Sequence, residues 1–192
     1  ANSKGILPRG SYHYYNNLAE PKAQARHYYD QIRNDMEGPC VVDLEDRANI
    51  PGYWGHRYWY DWLSEFQRLS GLPNHMIWIY TNLFYWKEAM VHATNAERDW
   101  FKRYPLWLAS YRSDPFHPAY QLIEVPLPWT ECVMLQSGTP AIGHDAGVES
   151  EEIDYDQFNG GQAEFERYFK MKGQPPSGEK TMANWDKGTA KP

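Results

Sequence analysis

The sequence predicts an α/β protein built on a parallel sheet. Three observations predict it: short runs of β-branched and aromatic residues recur, stretches with helical spacing separate them, and Gly or Pro marks most boundaries. Strands alternating with helices define βαβ units, hence an α/β barrel or a doubly wound fold. The second half of the chain is short of helices, which suits a barrel whose last strands are joined by loops.

Gly10 to Tyr15 is the first strand by its aromatic content, and Asn16-Asn17 break it. Pro21 opens a helix that reaches Met36, with Tyr28, Tyr29, Ile32 and Met36 near helical spacing, and Gly38-Pro39 stop it. Pro39-Cys40-Val41-Val42 then reads as a buried strand. A loop with Pro51 and Gly52 leads into a second helix, Trp54 to Leu69, ended by Gly71 and Pro73. Met76 to Thr81 is the clearest strand, bounded by Asn74 and Asn82. Helical stretches follow over Leu83 to Ala93 and Glu97 to Tyr104. Leu106 to Ala109 and Cys132 to Gln136 are strands, with the Pro-rich run Val125 to Pro128 in the loop between them. Gly138, Pro140 and Gly143 mark a long turn. Glu152 to Tyr155 is the last strand, before Phe158-Asn159-Gly160-Gly161 and a closing helix, Gln162 to Met171. Beyond Lys172 the composition turns to Gly, Pro, Ser, Thr and Lys, which buries too little apolar surface to order itself. Residues 1–171 are therefore expected to form one domain, and 172–192 a poorly ordered tail or linker.

Composition narrows the chemistry. A net charge of -6 argues against nucleic acid as a partner, since that needs a basic face. No apolar run approaches a membrane span, and Ala1 to Gly10 lack the apolar core of a signal peptide. Cys40 and Cys132 read as two buried free thiols. No His-x-x-x-His, Gly-x-Ser-x-Gly, phosphate loop or dinucleotide fingerprint occurs, so neither metal nor cofactor is expected. His13, in a strand among tyrosines, reads as a packed, hydrogen-bonded residue. The nine Trp and fifteen Tyr exceed what a core of this size needs, and they suit a cleft that stacks on sugar faces while bonding hydroxyls.

Two acids follow directly on the apolar run at Cys40. In a strand, residues two apart share a face, so Asp43 and Glu45 look out together. Neighbouring carboxylates do not both ionise cheaply, so one is expected to hold its proton near neutrality and serve as an acid. That division of labour is what glycoside hydrolysis requires. Asp46 and Arg47 read as turn residues.

Gly10-x-Tyr12-His13-Tyr14, Val42-Asp43-Leu44-Glu45, Ile79-Tyr80-Thr81-Asn82, Pro105-Leu106-Trp107-Leu108-Ala109-x-Tyr111, Gln136 and Asp154-x-Asp156-x-Phe158-Asn159-Gly160 resemble, in that order, the motifs of the glycoside hydrolase family 25 muramidases. The likeness runs from Ile6 to Phe169. It implies an irregular TIM-like (β/α)5(β)3 barrel and a lysozyme, of the kind found among phage endolysins. Such an enzyme cleaves the β-1,4 bond between N-acetylmuramic acid and N-acetylglucosamine, without metal or cofactor. Its partner is the peptidoglycan glycan strand, and its place of action the bacterial cell wall, reached by secretion or from a phage. Carried over by the resemblance, Glu45 is the proton donor, Asp43 orients the substrate's N-acetyl group, and Asp154 faces the pair across the cleft. Tyr12, Tyr80, Trp107 and Gln136 line the sugar sites.

The family's members begin with a further strand bearing another active-site Asp, then a second strand and helix, ahead of the Tyr-His strand. Here that strand starts at residue 10, so about two βα units of the barrel are missing from the expected pattern. A second chain or segment that supplies them, or a shortened gene product, is the implied explanation. A wall-binding or virion-structural protein that keeps the cleft without turnover is the alternative function. A chitin-type hydrolase is disfavoured, because its longer run of acids leading into the Glu is absent.

Overall fold

The computed structural model describes residues 9–46, 55–111, 123–140, 149, 152–161, 163–165 and 168. Six strands form one sheet in chain order: β1 (Ser11–Tyr14), β2 (Cys40–Asp43), β3 (Ile77–Asn82), β4 (Leu106–Ala109), β5 (Met134–Pro140) and β6 (Glu152–Phe158). The first five run parallel. β6 runs antiparallel to β5, a departure from the parallel sheet expected from the sequence. The result is a mixed α/β fold on a curled, half-barrel sheet. Among the described residues β1 and β6 each pair on one side only.

Among the described residues, the helices α1 (Pro21–Ile32), α2 (Gly55–Ser70), α3 (Leu83–Ala89) and α4 (Asn95–Phe101) pack on the convex side. Pro21 sits in the first turn of α1, and the Glu20 carboxylate accepts from the Lys22 and Ala23 amides at 2.9 and 2.6 Å. The helix ends four residues before Met36, in the turn Asp35 N–H to Ile32 C=O. Asn34 and Asp35 are weak helix formers, and Gly38-Pro39 bar any continuation. α2 buries His56, Trp59, Trp62, Leu63 and Phe66 on one stripe. It stops at Gly71, whose φ of +64° is the left-handed conformation glycine adopts without penalty.

The helix expected over 83–93 ends early, at Ala89, and the one expected over 97–104 begins and ends early, at Asn95 and Phe101. Thr94 and Glu97 form a reciprocal capping box, which requires extended backbone at Thr94 and so starts α4 afresh. β5 also sits later than expected, because pairing with β6 holds 137–140 extended despite its turn-like residues. The closing helix is described at 163–165 and 168, and Arg47 and the tail beyond 171 lie outside the described residues.

Strand alternation divides the side chains between two cores. Val42, Ile77, Ile79, Leu106, Leu108 and Leu135 face the helices and pack with Tyr28, Trp59, Trp62, Phe66, Trp86 and Phe101. His13 lies on this face, as expected. It stacks on Trp62 at 5.5 Å and its Nε2 meets Gln24 Oε1 at 3.2 Å, while burial lowers its pKa. Both cysteines are buried free thiols. On the concave face, Val41, Trp78 and Tyr168 form a smaller cluster with Tyr80, Trp107, Met134 and Phe158 against it. Asn159 clips this end shut, donating from its backbone to Val133 C=O at 2.8 Å and from Nδ2 to Cys132 C=O at 2.9 Å. A Cβ on Gly160 would lie 2.6 Å from the Phe158 ring, so only glycine fits beside it.

Candidate active site

Register turns the concave face into rows of side chains. Tyr14, Asp43, Tyr80, Trp107, Met134 and Phe158 lie side by side across the six strands. Asn82, Ala109, Gln136 and Asp156 form the next row, towards the C-terminal ends of the parallel strands. Glu45, just past β2, joins that row, where Asn82 Nδ2 donates to its Oε1 at 3.2 Å. Asp154 lies two residues further along β6, which enters from this end because it runs antiparallel. Acids from β2 and β6 thus meet at the strand ends where α/β barrels place their working residues.

Asp43 is half-buried, and its Oδ1 has no hydrogen-bond partner among the described residues. Burial, and then the charge of Glu45, push its carboxyl up to about 7. Glu45 is also raised by burial, with the Asn82 hydrogen bond opposing and Asp154 adding to the shift. Both acids of the pair are therefore raised, where the sequence led to an expectation of one. Their titrations are coupled and belong to the pair.

The wall opposite is a hydrogen-bonded aromatic cluster. Tyr80 and Trp107 pack edge to face at 5.3 Å, and Trp107 Nε1 donates to Asp156 Oδ1 at 3.0 Å. Tyr80 O–H donates to Gln136 Oε1, and Tyr111 O–H donates to the same oxygen at 2.7 Å. Tyr111 also lies 3.5 Å from Asp154 Oδ1. Tyr12 and Tyr14 stand exposed on β1, 70% and 53% accessible, as free ring faces beside the acids. Of the residues singled out from the sequence, Asp43, Glu45, Asp154, Tyr80, Trp107 and Gln136 share this face, and Tyr12 lies on the edge strand that borders it. Asp46, expected in a turn, follows β2, and its carboxylate accepts from the Asn17 amide at 2.7 Å.

Asn82, Tyr111 and Asp156 were not foreseen as site residues. The signal was the period-2 continuation: residues 80 and 82, 107, 109 and 111, and 154 and 156 each run along one face. A cavity of about 290 Å³, lined in part by His75, Pro105, Val133 and Asn159, opens at the other end of the strands, away from Asp43 and Glu45. Among the described residues no group of three or more His, Cys, Asp or Glu is placed to hold a metal ion, and no helix is long and apolar enough to cross a membrane.

A curled α/β sheet with paired carboxylates and open aromatic rings at its C-terminal edge is an arrangement suited to carbohydrate cleavage. The chain belongs to the glycosyl hydrolases family 25, whose family model matches residues 1–136. That match takes in Asp43, Glu45, Tyr80, Trp107 and Gln136, and stops short of Asp154. Solved structures with this fold include a muramidase from Trichobolus zukalii, 23% identical with a TM-score of 0.57, over 85% of this chain and 73% of that one. A family GH25 lysozyme from Aspergillus fumigatus is 20% identical with a TM-score of 0.56, over 86% and 74% of the two chains. The spore cortex lytic enzyme SleM of Clostridium perfringens is 21% identical with a TM-score of 0.56, over 79% of this chain and 49% of its own. No curated protein sequence matches significantly.

Proposed function

We propose that this chain is a peptidoglycan-hydrolysing lysozyme, an N-acetylmuramidase that cuts the β-1,4 bond between N-acetylmuramic acid and N-acetylglucosamine. The observation that carries the reading is the Asp43–Glu45 pair, two half-buried acids with raised proton affinity at the mouth of an aromatic cleft. Glu45 gives its proton to the glycosidic oxygen as the bond to the anomeric carbon breaks. The substrate's own acetamido oxygen closes on that carbon. Asp43, through the Oδ1 that lacks a protein partner, accepts the acetamido N–H and balances the positive charge that develops. Glu45, now ionised, takes a proton from the water that opens the intermediate and leaves a reducing muramic acid end. Asp154 supplies a second negative charge facing Glu45.

The family membership and the named activities of the structural relatives support this reading. They also support reading the half-barrel as six strands of a (β/α)5(β)3 barrel, with the wall as the site of action. The test is clearing of purified bacterial walls, with analysis of the new reducing ends. Muramic acid ends are expected, and ends on N-acetylglucosamine would refute the assignment. Glu45→Gln should abolish turnover, by about 10²-fold or more, while wall binding persists. Binding without any release of sugar by the unaltered chain would instead assign the cleft to a wall-binding protein.

A further inference from the structure

A second hollow opens on the helical side of the sheet, outside the cleft. It is lined in part by Arg57, Tyr60 and Asp61 of α2 and by Glu97, Trp100 and Phe101 of α4. Each helix supplies residues at i, i+3 and i+4, which share one helical face, so two matching faces confront each other across the gap. The space holds about 510 Å³, within the roughly 300–1,000 Å³ of small-molecule sites. Core packing does not account for its rings. Trp59 and Trp62 fill the buried stripe of α2, and Phe101 is buried at the end of α4, whereas Tyr60 is 45% accessible. Trp100 packs on Phe101 at 5.1 Å and Tyr104 at 5.4 Å, with the Arg103 guanidinium 4.6 Å from the centre of its ring, and Tyr60 leans on it at 4.3 Å. A firmly packed indole thus holds a tyrosine ring that has area to spare. Hydrogen-bonding groups stand beside the rings. Glu97 is placed by its capping box and lies 3.6 Å from Arg57, and Asp61 lies 3.8 Å from Lys22, distances longer than those of a tight charged hydrogen bond. Arg57 set against Asp61 and Glu97 gives no excess of positive charge for a phosphate, but it offers donors and acceptors to a row of hydroxyls.

We propose that the hollow between α2 and α4 is a second carbohydrate site, which takes a pyranose ring of the wall glycan against Tyr60 and Trp100 and bonds its hydroxyls through Arg57 and Asp61. A ring with apolar faces and a polar rim matches an aromatic surface edged by donors and acceptors. Two sites on one molecule raise the effective concentration of the cleft at the wall, because a protein held at one stays within reach of the other. The choice of wall glycan rests on the muramidase reading, whereas the stacking and hydrogen bonding rest on the hollow itself.

The experiment is an NMR titration of the full chain, carrying Glu45→Gln to prevent cleavage, with the β-1,4 trimer of N-acetylglucosamine. The indole Nε1–H signals are the reporters: Trp100, assigned by its contacts with the Tyr60 ring, reads the hollow, and Trp107, assigned by its loss in Trp107→Phe, reads the cleft. The Trp100 signal should move and saturate. Tyr60→Ala should weaken that response about tenfold and leave the Trp107 response as it was. Tyr60→Phe, which keeps the ring, should retain most of it, and Asp61→Ala, a second surface change, should weaken it as well. A Trp100 signal that does not move with the trimer, or moves equally in Tyr60→Ala, overturns the proposal. So does a signal that moves with a wall stem peptide and not with the trimer, which would give the hollow to another ligand. With Glu45 intact, Tyr60→Ala should clear insoluble walls several-fold more slowly at low protein concentration while cutting solubilised glycan at the unaltered rate. Equal loss on both would also overturn it. A saturable Trp100 response in a chain that releases no sugar would refute the muramidase reading and keep the site.

Discussion

Burial raises the proton affinity of Glu45, and on top of it act two opposing influences, each removable by one substitution. Asp154 raises its proton affinity through charge, while Asn82 lowers it by donating to Oε1. If Glu45 must be protonated to act, the alkaline limb of the activity profile marks its loss of that proton. Asp154→Asn removes the charge that raised it, so the limb should move to lower pH. Asn82→Leu removes the bond that lowered it, so the limb should move to higher pH. Profiles of kcat/KM on solubilised glycan measure both, and shifts of the same sign would show that the two residues do not act through Glu45. Much of this site was legible at the level of single residues. Asp43 and Glu45 stand out because charge two apart at the end of an apolar run has one geometric meaning. Asn82 and Asp156 were not legible, because their partners depend on which strands become neighbours, and no local pattern states that.

Among the elements, α4 shows how a short local signal sets a boundary. Its start was expected at Glu97, but Thr94 and Glu97 bond each other's backbone and begin the helix at Asn95. Phe101, at the end of α4, is thereby delivered against Trp86 at 5.4 Å. Thr94→Ala should cost about 1 kcal/mol, read as a lower urea midpoint with an unchanged slope. No loss of stability would mean that packing at Phe101 fixes the helix without its cap. The strands β3 and β4 and the helix α2 follow their patterns closely, because each has one strong periodicity and clear stops. The direction of β6 was not legible. A seven-residue segment carries the alternation of a strand but nothing about which way its neighbour runs. The residues of β5 from 137 onwards, Ser-Gly-Thr-Pro, read as a turn until pairing with β6 supplies the hydrogen bonds that keep them extended.

For the whole molecule, the cleft's chemistry is set against its stability. Asp43 titrates at about 7 in the folded chain, against about 3.9 in an unfolded one. Between those values the native state holds a proton that the unfolded state has released, so stability falls as pH rises across that window and levels off above it. Asp43→Asn should therefore lose activity yet gain thermal stability relative to wild type at pH 8, with the gain shrinking towards pH 5. Calorimetry at the two pH values checks this, and an equal difference at both would show that ionising Asp43 costs nothing. The two thiols give the same molecule a way to report on itself. Cys40 lies within the sheet on β2 and Cys132 at the foot of β5, and burial pushes them up to about 11 and about 12. A thiol reagent at pH 8 finds neither sulfur accessible nor ionised while the chain is closed, so labelling must wait for a local opening. Each cysteine is thus a native timer for its own part of the sheet. Mass spectrometry of briefly labelled protein would show which of the two lets go first, and labelling of both within seconds under native conditions would show that the sheet is not closed around them.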